Sequence, residues 1–276
     1  RYRATMCDLV NISSLGFSGE ALNVEERAGL EVGMTKRRNE EGLDAIEFWG
    51  KVKGTDNDYL VCVGYSNSVD YPNKKFYFCT SKDLTLKAVP ELSAEFEAKA
   101  SGRTARLKGD PSLVDEKDEV EEDDDEDAPK KVVFSESHRL AYAIKQIDAD
   151  TAVVPRGAYM VTATHTVARN KGFEGLDAAG AASLESYFHY REPTELRRKT
   201  ALERSGMVAS TDFLDPLAGD APKGVWSVRV DAARGSANVR SLKWPGYFFF
   251  HDLGTGRFGG AYFGYGLPNQ DIGFMV

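Results

Sequence analysis

The chain has 276 residues, 42% hydrophobic, 11% aromatic and 28% charged, with a mean hydropathy of −0.41, enough length and apolar content to bury a sizeable core. Its net charge is −8, but residues 115–127 alone hold eleven carboxylates and one lysine, which leaves the rest of the chain at about +2. There is no basic excess to hold nucleic acid and no apolar run near the ~18 residues that cross a bilayer, so neither nucleic acid nor a membrane is an expected partner.

Cys7, Cys62 and Cys79 form no CxxC and no metal-ligand spacing, and an odd count fits a reducing compartment. Cys62 and Cys79 lie in apolar, strand-like runs and read as small buried hydrophobes. No apolar h-region follows the start of the sequence, so a cytoplasmic or cytoskeletal location is expected.

In chain order, residues 23–38 predict a helix. Asn23 can cap it, Glu25 and Glu26 suit its N-terminal end, and Lys36, Arg37 and Arg38 suit its C-terminal end. A strand over 46–52 puts Ile46, Phe48 and Val52 on one face. The turn at 54–58 leads into a second strand at 59–65, making a hairpin. A third strand follows at 76–79, and a short helix near 91–99. The acidic residues within 112–131 repel one another and bury nothing, which predicts a disordered loop. Residues 140–147 fit a helical face and a strand alternation equally well.

A strand at 151–155 ends on Pro155, and 158–163 looks extended. Two helices are expected next. One is capped by Asp177, stacks Leu184, Tyr187 and Phe188, and stops before Pro193. The other starts at Thr194, carries Leu196 and Leu202, and stops at Gly206. The C-terminal part is β: Trp226, Val228 and Val230 alternate, 238–242 returns, and 247–251 pairs with 258–265 across 253–256. The expected fold class is α+β, a mainly antiparallel β-sheet with flanking short helices. One domain over 1–276 is expected, with an N-terminal helical segment in 1–45.

The chemistry-bearing patterns are weak. Gly254-Thr255-Gly256-Arg257-Phe258-Gly259 matches GxGxxG, but strand-like sequence follows it where a dinucleotide site needs a helix, so a hairpin turn is the better reading. His138, His165, His189 and His251 show no metal spacing, and His189 at an expected helix end reads as packed or dipole-paired. Pro155-Arg156-Gly157 reads as a bulge ending a strand rather than as a device aiming Arg156 at a carboxylate. Trp49, Trp226 and Trp244 read as core residues before interface anchors. No catalytic, cofactor-binding or metal-binding residue is assigned.

Several segments together resemble the radial spoke head family of ciliary axoneme proteins. They are Phe48-Trp49-Gly50-Lys51-Val52, Leu107-Lys108-Gly109-Asp110-Pro111-Ser112, and Ile147-Asp148 leading to Val154-Pro155-Arg156-Gly157-Ala158. After these come Phe173-Glu174-Gly175-Leu176, Tyr187-Phe188-His189-Tyr190-Arg191-Glu192-Pro193, Pro222-Lys223-Gly224-Val225-Trp226-Ser227 and Arg240-Ser241-Leu242-Lys243-Trp244-Pro245-Gly246. The match covers about 45–276. The 173–176 and 187–193 blocks set the chain apart from the longer members, head proteins four and six, which share the Phe-Trp-Gly and Trp-Pro-Gly features.

The resemblance implies a non-enzymatic structural subunit of the radial spoke head in the axoneme of motile cilia and flagella. It implies assembly with relatives of head proteins four and six, transient contact with central-pair projections, and relay of mechanical signals to dynein. Exposed edge strands of the sheet would offer one mode of adhesion, by main-chain pairing. Two other readings stand beside it: a hydrolase-like enzyme gathering His165 or His251 with carboxylates in a pocket, and a free regulatory module using its acidic loop on a basic partner.

Overall fold

The protein is described by a computed structural model over residues 9–66, 71, 73–114, 133–194 and 198–275. A first antiparallel meander comprises β1 (Ala45–Val52), β2 (Tyr59–Ser66), β3 (Asn73–Thr80) and the two-residue β4 (Lys87–Ala88). Next, β5 (Val153–Pro155), β6 (Tyr159–Val161), β7 (Val167–Arg169) and β8 (Tyr187–His189) form two short ribbons, β5 with β8 and β6 with β7. A second meander comprises β9 (Trp226–Asp231), β10 (Ser236–Ser241), β11 (Tyr247–Asp252) and β12 (Phe258–Gly264). The two meanders join through β1 and β12, in parallel, to give one eight-stranded sheet of order β4-β3-β2-β1-β12-β11-β10-β9. The expected α+β class, mainly antiparallel, is what forms.

Both faces of this sheet are covered, and strand alternation sorts side chains between them. Tyr59, Val61, Val63, Phe78, Val239, Tyr247, Phe249, Phe258 and Tyr262 enter one core. Leu60, Cys62, Tyr77, Cys79, Phe250, Ala261 and Phe263 enter the other. Helix α1 (Val24–Glu41) and the 3-10 segment Leu9–Ser18 cover the second face through Leu9, Leu15, Leu30 and Met34. Helix α1 starts as its sequence demands: the Asn23 side chain accepts from Glu26 N–H at 2.7 Å, and Glu26 accepts from Asn23 N–H at 3.0 Å. It ends at Gly42, whose φ of 62° is left-handed. The other face is covered by α3 (Glu136–Thr151) and the 153–220 region, with α2 (Ala94–Ser101) packed on α3. The ambiguous 140–147 stretch is therefore helical; Leu140, Ile144 and Ile147 are its buried stripe.

Three expectations change. Phe48 pairs with Cys62 and Gly50 with Val61, so Trp49 is an extra residue, a β-bulge. The bulge inverts the alternation: Phe48 joins one core while Trp49 and Val52 join the other, so Phe48 and Val52 do not share a face. The helix capped by Asp177 is only α4 (Ala178–Ala181). Ser183 then caps a short 3-10 turn, Leu184–Ser186, and Tyr187 and Phe188 continue as β8, paired with β5. Buried strand pairing overrides a helical periodicity that the sequence does carry. The next helix, α5 (Ala201–Ser205), is capped by Thr200 rather than Thr194, and Gly206 ends it; Leu202 is exposed. Cys7, Leu196 and the acidic run 115–127 lie outside the described residues.

The parallel seam needs Gly50. A Cβ there would stand 2.5 Å from the Tyr262 carbonyl oxygen, which is backbone and cannot step aside. Gly50→Ala is expected to lower stability by about 1–3 kcal/mol, read as a lower urea midpoint. Gly16→Ala, where a Cβ would meet nothing within 4 Å, is the matched control and should leave the midpoint unchanged or slightly raised.

Candidate interaction surfaces

Polar side chains lock α3 to the sheet. Glu136, at its first turn, is 2% exposed and accepts three hydrogen bonds: from Tyr59 hydroxyl at 2.7 Å, Lys108 N–H at 2.8 Å and Gly109 N–H at 2.7 Å. That satisfies a buried carboxylate and ties the 107–110 loop to β2. Burial and the facing carboxylate both push the Tyr59 hydroxyl's pKa up. At the far end of α3, Trp49 Nε1 donates to Asp148 at 3.3 Å and Trp244 Nε1 donates to Asp150 at 2.7 Å. The third tryptophan repeats the device, Trp226 Nε1 donating to Asp220 at 2.6 Å. All three indoles are buried, as the core reading expected, and each keeps its polar edge satisfied by an aspartate.

The remaining sequence candidates fall as follows. Arg156 is not at a bulge. Pro155 to Ala158 is a tight turn in which Gly157 takes φ 79° and Ala158 N–H bonds Pro155 C=O at 3.1 Å. Arg156 does meet a carboxylate, the one in this chain: Nε and Nη2 reach the two oxygens of Asp212 at 2.8 and 2.6 Å. Burial works to raise the Asp212 pKa, and Arg156 with the Val208 N–H holds it below the ordinary value. His189 sits in β8, buried, with Nε2 2.9 Å from Asp220. His165, at φ 60°, occupies the tip of the β6–β7 turn, whereas His251 is fully buried in β11. Neither lines the groove between β3 and α3. Gly254 to Gly256 forms the β11–β12 turn, as expected of that glycine pattern. Cys62 and Cys79 are buried and free, and burial pushes both thiols' pKa values up.

Two surface features stand out. A groove of about 1120 Å³ runs between β3 and α3, where Lys74, Lys75 and Lys145 mix with Glu97, Asp148 and Glu192. Both charge signs line it, so it selects no partner by charge. The sheet edges are the second feature. One edge is β4, two residues long and followed by Pro90. The other is β9, six residues without proline, and among the described residues no main-chain group pairs with its outer side. No helix of the described residues is long and apolar enough to cross a membrane.

His251 gives the fold a pH dependence. Its Nε2 accepts the Leu176 N–H at 2.9 Å, so the neutral ring is the form that fits. Burial holds its pKa below the ordinary value, against the Arg257 backbone and Asp252, which act the other way. An unfolded histidine titrates near ~6.5. The folded state binds that proton less readily, so stability is complete above ~6.5 and falls as pH drops below it, towards the lowered folded value. In His251→Gln, where an amide oxygen can take the Leu176 N–H, the melting temperature should depend less on pH below ~6.5 than in the parent. A parallel pH profile in the two proteins would remove this role from His251.

No protein-family model matches the chain. Curated relatives do, along nearly all of it. A Bos taurus protein described as "Radial spoke head protein 9 homolog" is 36% identical over 263 residues, 94% of this chain and 95% of that one. The Homo sapiens protein of the same description is 34% identical over 272 residues, 97% of this chain and 98% of its own length. The Danio rerio protein is 36% identical over 265 residues, with 94% and 95% covered. The likeness therefore reaches the first 45 residues, which the motif resemblance did not, and it spans the seam, the α3 clamp and both sheet edges: the chain belongs to the radial spoke head protein 9 family.

Proposed function

We propose that this protein is a non-catalytic structural subunit of the radial spoke head in the axoneme of motile cilia and flagella. It assembles there with the related, longer head proteins four and six and touches the central-pair projections transiently, helping to pass mechanical signals to dynein. End-to-end identity of 34–36% to relatives described as radial spoke head proteins carries this reading. The architecture agrees with it. A load-bearing role asks for a stiff body, and an eight-stranded sheet with a packed core on each face supplies one. The hydrolase alternative asked for His165 or His251 in a pocket with carboxylates; the first stands at a turn tip and the second is enclosed, with Nε2 already occupied.

The test is replacement in ciliated cells that lack the endogenous family member. The tagged chain should distribute along the axoneme, resist detergent extraction, co-purify with spoke head proteins and restore the beat. A chain left in the detergent-soluble fraction would overturn the proposal. Deleting residues 115–127 should leave incorporation within about twofold; loss of incorporation would instead make the acidic run a docking element.

A further inference from the structure

The two ends of the sheet are built differently. The β4 end is blunted in the usual protective ways: two residues, a lysine, and a proline soon after. The β9 end is six residues long and holds neither proline nor lysine, and its exposed charge is Arg229. Its free valences follow from its register. Leu242 N–H bonds Val225 C=O at 2.8 Å, so residue pairs 225/242, 227/240, 229/238 and 231/236 are the hydrogen-bonded pairs of the β9–β10 ladder. The N–H and C=O groups of Trp226, Val228 and Val230 therefore point the other way, off the edge. No main-chain group among the described residues meets them.

We infer that β9 is the docking edge of this subunit and receives an extended strand from another spoke head protein, extending the eight-stranded sheet across the subunit boundary. The inference rests on the proposed spoke-head role and names the surface that serves it. The chemistry of the incoming strand follows from the two sides of β9. On one side Trp226 and Val228 belong to or pack on the core, so the strand places apolar side chains beside them. On the other side Arg229 is exposed, so the strand places an acidic or polar residue beside it. Main-chain bonds supply affinity, and this alternation supplies register. A strand that pairs out of register by one residue would set its charge against Val228 and be rejected.

Val228→Pro tests this with little collateral damage, because it deletes an N–H that points off the edge and leaves the β9–β10 ladder whole. Val228→Ala loses the side chain and keeps the N–H. In the replacement experiment, Val228→Pro is expected to cut recovery in the spoke-head fraction at least tenfold, with Val228→Ala within about twofold of the parent. If Val228→Pro folds poorly, amide hydrogen exchange on the unmodified full chain decides the question. The Val228 and Val230 amides should exchange quickly in the free protein, ahead of Arg229, and slow at least tenfold in the assembled head. Normal recovery of Val228→Pro, or unchanged exchange on assembly, would overturn the inference while leaving the spoke-head role standing. A parent chain that itself fails to enter the head fraction would remove both. A concentration-dependent dimer of the free chain that Val228→Pro abolishes would assign the edge to a second copy, and so overturn the choice of partner.

Discussion

The structure turns on the parallel pairing of β1 with β12, in which Gly50, Lys51 and Val52 meet Tyr262, Phe263 and Gly264. Each meander is local in sequence and pairs consecutive strands with one another. Only this seam makes them one sheet, and it joins segments about two hundred residues apart. Its closeness has a sequence cost: Gly50 faces the backbone of Tyr262, and Lys53 N–H reaches Gly264 C=O at 2.7 Å just beyond the last pair. The Trp49 bulge belongs to the same constraint. By turning Trp49 out of step, it sends the indole to α3 and leaves the featureless Gly50 at the contact.

The α3 layer depends on that seam in turn. Glu136 fastens the helix start to β2 of the first meander, while Trp244, just past β10 of the second, holds Asp150 near its end. One helix thus grips both halves, through a buried Glu136 whose hydrogen bonds are filled and a partly exposed Asp150. Such groups add little net stability compared with apolar packing, yet losing one partner is expensive. They penalise any arrangement in which the meanders slide, which is a form of specificity. On the opposite face Lys51 plays a similar part, its ammonium 2.9 Å from Glu26 of α1 and 3.1 Å from Asp58. Burial lowers the Lys51 pKa, and the two carboxylates together outweigh it and hold the charge on.

Much of this was legible in the sequence because it rests on local rules. The Asn23–Glu26 cap, the hairpins and the apolar alternation of Trp226, Val228 and Val230 in β9 each follow from neighbours a few residues apart. What escaped was decided at long range. The bulge at Trp49 depends on the register with β2, and β8 is a strand only because β5 lies beside it. The 140–147 stretch had two periodicities, and the flanking burial chose the helix. Two of the tryptophan–aspartate pairs were invisible for the same reason, since Asp148 lies 99 residues from Trp49 and Asp150 lies 94 from Trp244. The one available signal was an arginine after a strand-ending proline: Arg156 does seek a carboxylate, 56 residues on.

A sheet with a sealed middle and unlike ends is a directional object. Strain applied along the strands is resisted by seven ladders and two packed cores, because sliding any pair by one residue would move its apolar side chains to the wrong face. Strain applied across the strands is resisted by hydrogen bonds in series, and the weakest ladder governs. The β4 end, with two paired residues, is the poor place to transmit such a load, and the six-residue β9 ladder on β10 is the better one. Behind β9, Trp226 anchors to Asp220, which His189 also holds, and Asp220 is kept charged by those contacts against the burial that opposes it. The strand with the open edge is therefore also tied to the layer beneath it through the Trp226–Asp220 bond.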